Sequence, residues 1–255
     1  MKSQQVHGIV IRTTSYGDNH KVVTLFTKEK GKISVMAHGA KKTKGKLAGV
    51  TQLFTNGQYL VSFGRTIGMG TMKQGETAVR YKSIQQDIIK TTYASIIVEL
   101  MDNLLVDNEP NLSMFELLES ALQLIEQGID PQLISFMVEA KLLSTAGIHP
   151  NIDGCACCKN HYGCFAFSVK EGGFICYRCF GKDANRIPVT SATVRIFCVI
   201  LNIDLSKLGA VNVKEKTKQE ISCILTHLYS DYAGVVIKSK GFVKELEKLM
   251  IPHTS

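Results

Sequence analysis

Residues 31–46 read Gly31-Lys-Ile-Ser-Val-Met-Ala-His-Gly-Ala-Lys-Lys-Thr-Lys-Gly-Lys46. The first half alternates. Ile33, Val35 and Ala37 oppose Lys32, Ser34, Met36 and His38, the period of a strand with one buried face. The second half has no apolar period. It carries four lysines, Lys41, Lys42, Lys44 and Lys46, with two glycines, the composition of a flexible, solvent-facing cationic turn. Neighbouring segments repeat the strand pattern. Val6, Gly8 and Val10 oppose Ile9 and Ile11, and Val22 to Thr27 is a β-branched run closed by Lys28-Glu-Lys-Gly31. Gln58 to Phe63 alternates again, and Ile67 to Met72 is a glycine-broken last strand. Five short strands with glycine-rich turns within residues 4–76 predict a small β-barrel, and an OB-type barrel has that strand count. Periodicity alone does not separate that barrel from an SH3-like one.

Charge is distributed unevenly along the 255 residues, whose net charge is +8. Residues 1–80 hold thirteen Lys and Arg and three acids, Asp18, Glu29 and Glu76, a net of +10. The remainder is at −2, so the excess positive charge lies in the first third and points to a polyanion partner there. Lysines on a turn can follow a phosphate backbone without demanding a base sequence. Arg12, Lys21, Lys32, Lys41, Lys42, Lys44, Lys46 and Arg65 are the candidate nucleic-acid contacts, with Lys28 and Lys30 adding charge nearby. Tyr16, Phe26, Phe54, Tyr59 and Phe63 could offer stacking faces to unpaired bases. Phe26 and Phe63 are expected in the core, whereas Tyr16 sits in the polar turn Ser15-Tyr-Gly-Asp-Asn19.

After residue 80 the period changes. Ile84, Ile88, Ile89, Tyr93, Ile96, Ile97, Leu100, Met101, Leu104 and Leu105 mark one long helix. Ser113-Met-Phe-Glu116 has capping-box spacing and opens a second helix through Ile125. Asp130-Pro131 starts a third, which Gly147 ends. Apolar stripes at Val194, Phe197, Cys198 and Leu201, then at Ile221, Ile224, Leu225, Leu228 and Tyr232, then at Phe242, Leu246 and Leu249, predict further helices. The fold class is thus α+β and multidomain. Residues 1–80 form the barrel domain and 81–255 a helical domain, with 150–182 inserted as a finger.

That insertion carries Cys155-Ala-Cys-Cys158 and Cys176-Tyr-Arg-Cys179, separated by seventeen residues. A two-residue gap lets one tight turn aim both sulfurs at one ion, and two such hooks supply four tetrahedral ligands. Phe165, Phe167 and Val169 alternate as a strand, and Gly172-Gly173 can turn the chain back so that a hairpin joins the hooks. Cys155, Cys158, Cys176 and Cys179 are therefore the expected ligands of one structural zinc. Four thiolates leave no open position for activating water. Two disulfides are the competing reading, disfavoured because no secretory signal precedes the segment. Cys157, Cys164 and His161 lie within the same stretch and His161 is a minor alternative ligand; Cys198 and Cys223 fit buried core thiols.

Catalytic patterns are missing. No Gly-Lys pair has the Ser or Thr of a P-loop, Gly68-Met-Gly70 lacks the third glycine of a dinucleotide fingerprint, and the acids form no paired-carboxylate pattern. No apolar run approaches the ~20 residues that cross a bilayer. The reading is of a cytoplasmic binding protein, not an enzyme, with no membrane partner.

The ordered combination of Gly8-Ile-Val-Ile-Arg12, Tyr16-Gly17, Lys21-Val-Val-Thr-Leu-Phe-Thr27, Gly31-Lys32, Ala37-His-Gly-Ala-Lys-Lys42 and Leu47-Ala-Gly49 resembles the RecO family of bacterial recombination mediators. Gly147-Ile-His-Pro-Asn-Ile-Asp153, Phe167-Ser168 and Gly172-Gly173 around the hooks extend the resemblance over nearly the whole chain. It implies an OB fold, a helical domain and a four-cysteine zinc finger. It also implies binding of single- and double-stranded DNA, annealing of complementary strands, and work with RecR to load RecA onto DNA coated by single-strand-binding protein, with a functional link to RecF and a nucleoid-associated location. The acidic, apolar-ended tail of single-strand-binding protein is then an expected ligand of the helical domain, with Lys90, Lys141 and Arg195 as candidate basic spots. Two features depart from the pattern: Asp18-Asn19-His20 stands where an acid is expected after the turn at Gly17, and Cys157 and Cys164 are extra. A zinc-ribbon transcription or translation factor binding RNA or a polymerase is the rival class, and a nuclease a further one.

Overall fold

In the computed structural model, which describes residues 2–64, 68–207 and 212–250, the alternation at residues 33–37 is strand β3 (Gly31–Ala37). It joins β1 (Lys2–Tyr16), β2 (His20–Thr27), β4 (Asn56–Phe63) and β5 (Gly70–Val79) in a closed barrel of order β1-β2-β3-β5-β4. β3 and β5 run parallel and the other pairs antiparallel. That order is the OB type and removes the SH3-like alternative. Strand β1 is long because it serves two partners. Its first half pairs with β4 and its second with β2, and the register shifts between Val10 and Arg12, where the strand bends around the barrel. Val6, Val10, Val23, Leu25, Ile33, Val35, Tyr59, Val61 and Met72 point into one core. Each such aliphatic side chain contributes about 1.5–3 kcal/mol when fully buried.

Two readings of this region are corrected. The last strand does not span Ile67–Met72; it starts at Gly70 and continues to Val79, along a mostly exposed polar stretch that lacks strand alternation. Ile67 lies outside the described residues. Phe54 and Tyr59 are not stacking platforms, since both are buried, and the Tyr59 hydroxyl donates to the carbonyls of Val50 (3.0 Å) and Thr55 (3.2 Å). Phe26 is buried as expected, and Phe63 packs partly buried against the core.

The barrel groups with four helices into one compact unit, residues 1–128 with 239–255. These are α1 (Lys82–Gln86), α2 (Ile88–Leu104), α3 (Leu112–Glu126) and, counted last along the chain, α7 (Lys238–Met250). The single long helix expected from Ile84 onward is broken at Asp87. That residue is extended, and its carboxylate accepts the N–H groups of Ile89 (2.8 Å) and Lys90 (3.1 Å), so it caps α2. Likewise α3 starts not at a Ser113 box but at Asn111, whose side chain accepts the Met114 N–H at 3.1 Å and also the Ser113 hydroxyl. Phe115 of α3 lies against Phe26 of the barrel at 5.8 Å between ring centroids.

Residues 129–238 form the second unit. Helix α4 (Pro131–Thr145) begins as expected, with Pro131 in its first turn and the Asp130 carboxylate accepting from Gln132 and Leu133. Residues 132–140 of α4 are all buried. A three-stranded sheet, order β7-β6-β8, follows from β6 (Phe165–Ser168), β7 (Gly173–Cys176) and β8 (Ile187–Pro188). Its Phe167 and Phe174 meet Phe197 of α5 (Ser191–Asn202) edge to face. Helix α6 (Glu215–His227) runs into a π turn at Leu228–Tyr232. The wider turn rotates the stripe, so Tyr229 is buried and donates to the Glu139 carbonyl at 2.6 Å, while Tyr232, expected on the apolar stripe, is exposed.

Candidate nucleic-acid interface and metal centre

The lysine turn leaves β3 at Ala37 and is pinned to the β1–β2 turn. The Gly39 N–H donates to His20 Nδ1 (3.1 Å), the Lys41 N–H to the Asn19 carbonyl (3.1 Å), and Lys41 Nζ to the Gly17 carbonyl (3.1 Å). Gly39 sits at φ +72, and a Cβ on Gly45 would lie 2.4 Å from the Gly39 carbonyl oxygen. These bonds hold the backbone of the turn, while the side chains of Lys41, Lys42, Lys44 and Lys46 are exposed, as expected of solvent-facing cations. Tyr16, in the turn they are pinned to, is 58% exposed. Lys46 also lines an open cavity of about 430 Å³ with Lys73, Gln5, Gln58 and Glu76. Lys73 is not among the candidates from sequence, because it falls in the polar stretch of β5 that alternation does not reveal.

The remaining candidates fall in different surroundings. Arg12 is exposed, but its Nε lies 3.3 Å from an Asp102 carboxylate oxygen and 3.3 Å from the Thr24 hydroxyl. Lys21 is half-buried in β2, opposite Ser15 and Ala37. Lys32 is buried, with Nζ 3.4 Å from Asp102 and 3.1 Å from Asp107. It faces the Asp102 carboxylate of α2 and the Asp107 carboxylate of the segment after it, and does not share the open surface of the loop lysines. Arg65 lies outside the described residues. Lys90 donates to Ser83 at 2.5 Å, Lys141 is half-buried on α4, and Arg195 is exposed on α5.

The cysteine hooks are brought together as their spacing demands. The sulfurs of Cys155, Cys158, Cys176 and Cys179 all lie within 4.8 Å of one another. The hairpin β6–β7 carries the second hook back to the first, and the Cys176 N–H donates to Cys155 Sγ at 3.3 Å. Cys155, Cys176 and Cys179 are buried and Cys158 is exposed. A tetrahedral ion with metal–sulfur bonds near 2.3 Å needs sulfurs about 3.8 Å apart. Cys158 and Cys176 stand at 3.6 Å, so the donor set fits a metal ion. Burial pushes the Cys155 thiol up, but the N–H groups of Cys176, Cys158 and Cys157 outweigh it and hold the thiol down at about 6. Burial and the neighbouring sulfurs push Cys179 up. Four sulfurs this close ionise together only around a cation. Cys157 turns to Glu171 (3.5 Å), and Cys164 and His161 are exposed outside the cluster. Cys198 and Cys223, expected in the core, are half-buried.

The described residues thus hold an OB-type barrel with an exposed cationic turn and, in the second unit, a hairpin bearing a four-cysteine cluster. Residues 1–81 match the model for "Recombination protein O N terminal" and residues 85–241 that for "Recombination protein O C terminal". The chain belongs to the RecO family. DNA repair protein RecO of Bacillus cytotoxicus is 44% identical over 248 residues, covering 97% of this chain and 99% of that protein. The same-named proteins of Bacillus cereus and Bacillus anthracis are 43% identical with the same coverage. The family places the chain in DNA repair and recombination. Among the described residues no helix is long and apolar enough to cross a membrane.

Proposed function

We propose that this chain is a recombination mediator, a binding protein rather than an enzyme, acting in the cytoplasm at the nucleoid. In this reading residues 1–80 bind single- and double-stranded DNA through phosphates, and residues 81–255 carry the partner contacts. Complementary strands are annealed on the protein. With RecR it helps load RecA onto DNA coated by single-strand-binding protein, whose C-terminal tail it recruits, in a pathway shared with RecF. The observation that carries the reading is the group of exposed lysines, Lys41, Lys42, Lys44 and Lys46, on a backbone held by His20 and Asn19, with the Lys41 ammonium resting on the Gly17 carbonyl. A turn whose backbone is already held loses less entropy on meeting a phosphate chain than a free one, and lysine contacts to phosphates read no bases. Lys21 pairs with Ala37, where the turn leaves β3, whereas Arg12 is held by Asp102 and Thr24, and Lys32, being buried, is left out of the group.

The metal in this reading is one Zn²⁺ held by Cys155, Cys158, Cys176 and Cys179. An all-thiolate set suits zinc in a reducing compartment, and a closed tetrahedral site supplies folding energy without chemistry. The experiment that tests the function is annealing of complementary oligonucleotides precoated with single-strand-binding protein, with and without RecR. Faster annealing than in the protein's absence, enhanced RecA loading with RecR, and loss of both in the four-lysine-to-alanine variant are expected. Annealing at the uncatalysed rate would overturn it.

A further inference from the structure

We propose that the tip of the cysteine-rich finger is a second contact for single-stranded DNA, taking unpaired bases on the exposed rings of Tyr162 and Tyr177. The inference rests on the reading of the chain as a DNA-binding protein given above. Tyr162 is 82% exposed and Tyr177 52% exposed, in a unit where Phe167, Phe174 and Phe197 are fully buried. Within the segment Phe167 and Phe174 point inward, Phe165 and Phe180 are half-buried, and Tyr162 and Tyr177 point outward.

The tip is built. Lys159 at φ +60 and Gly163 at φ +96 fold the turn after the first hook. The Tyr177 N–H donates to the Cys164 carbonyl at 3.0 Å, which ties that turn to the second hook. A Cβ on Gly163 would stand 3.2 Å from two carbons of the Tyr177 ring, so the turn and the ring pack closely. The Asn160 amide donates to the Tyr162 carbonyl at 2.6 Å and fixes the backbone under the more exposed ring. Arg178 extends the platform. Its Nε donates to the Tyr177 hydroxyl at 3.0 Å, with the guanidinium carbon 5.6 Å from the ring centroid.

Charge favours a strand over a protein partner. Residues 155–182 contain Lys159, Lys170, Arg178 and Lys182 against the single acid Glu171. Among the described residues no carboxylate forms an ion pair with any of the four cations. A divalent ion with four thiolates is itself a dianion, which offsets half of that cationic charge. Stacking, and not net charge, then carries the affinity at the tip. Stacking is sequence-tolerant because every base has a π-face, and it resists salt that weakens phosphate contacts.

The test measures binding of the full-length, metal-loaded protein to a fluorescein-labelled oligodeoxythymidine and to an abasic strand of the same length, at low and high salt. Wild type is compared with Tyr162→Ala, Tyr162→Phe and the four-lysine loop variant, with metal content as the check that the finger is folded. Tyr162→Ala is expected to bind the thymidine strand about fivefold more weakly or worse at both salts. It should bind the abasic strand as wild type does, and Tyr162→Phe should bind both as wild type does. Unchanged thymidine binding by Tyr162→Ala, while the loop variant loses it, would overturn the finger site and leave the barrel reading intact. Equal losses on both strands would also overturn it, because the protein would then be holding the backbone. A wild type that binds neither strand would overturn the parent reading as well.

Discussion

The Lys32 ammonium on β3 lies 3.4 Å from the Asp102 carboxylate on α2 and 2.5 Å from the Asp102 backbone carbonyl. One buried cation thereby joins the barrel to the helix that follows it. Asp102 also lies 3.3 Å from Arg12 and keeps that cation when Lys32 is removed, and Asp107 is exposed, so the cost falls below the about 3–5 kcal/mol of a fully buried pair broken outright. Lys32→Ala is expected to lower unfolding free energy by about 1–3 kcal/mol in a urea titration. Its salt slope for DNA binding should match wild type. A weakened slope at unchanged stability would put Lys32 on the phosphate path instead.

Gly31 marks the other side of this junction. It sits at φ +64, and an added Cβ would fall 1.9 Å from the Glu109 carbonyl oxygen. No rotamer relieves a clash with backbone. Gly31→Ala should therefore destabilise the first unit by at least about 2 kcal/mol, combining strain at positive φ with displacement of residue 109. Thermal unfolding followed by far-UV circular dichroism measures this, and an unchanged midpoint would contradict the close approach.

Local patterns are legible in the sequence and distant pairings are not. The alternation at Ile33, Val35 and Ala37 requires only a buried face, and the hooks at Cys155 and Cys176 only a turn. The break at Asp87 is hidden because α1 and α2 keep the apolar period in phase across it, so only the cap's own chemistry marks it. Asn111 and Ser113 are both cap residues, and box spacing favours Ser113 although Asn111 is the cap. The π turn at Leu228–Tyr232 has no period of its own, which is why helical spacing puts Tyr232 and not Tyr229 on the apolar stripe. Lys32 looks like its exposed neighbours because its partner stands 70 residues away. The clustering of four sulfurs is readable from spacing; the pinning of Gly39 by His20 is not.

Removal of one hook ligand tests the metal reading. Cys176→Ser should lower zinc content, measured by atomic emission on the purified protein, from near one per chain to well below half. It should also unfold the finger, since metal binding and local folding are linked. A wild type without zinc would contradict the site.

Glu220 predicts an acid response of the second unit. Burial pushes its carboxyl up, but the N–H of Thr190 and the hydroxyls of Thr193 and Thr190 outweigh that and hold it below the ordinary value. A depressed folded value means the contribution is fully present above the unfolded pKa of 4.5 and is lost as pH falls through the folded one. Wild type should therefore lose more stability than Glu220→Gln on going from pH 6 to about pH 3. Parallel pH profiles for the two proteins would contradict the assignment.

The central claim is that the pinned lysine turn holds DNA by its phosphates. The salt dependence of DNA affinity tests it most directly. A plot of log K against log salt concentration should be linear and steep for wild type on both single- and double-stranded oligonucleotides. Changing Lys41, Lys42, Lys44 and Lys46 together to Ala should reduce the slope by about 2.8–3.6, at roughly 0.7–0.9 for each of four phosphates no longer neutralised. An equal slope in the two proteins would contradict the claim and leave the turn as a solvated feature of the barrel.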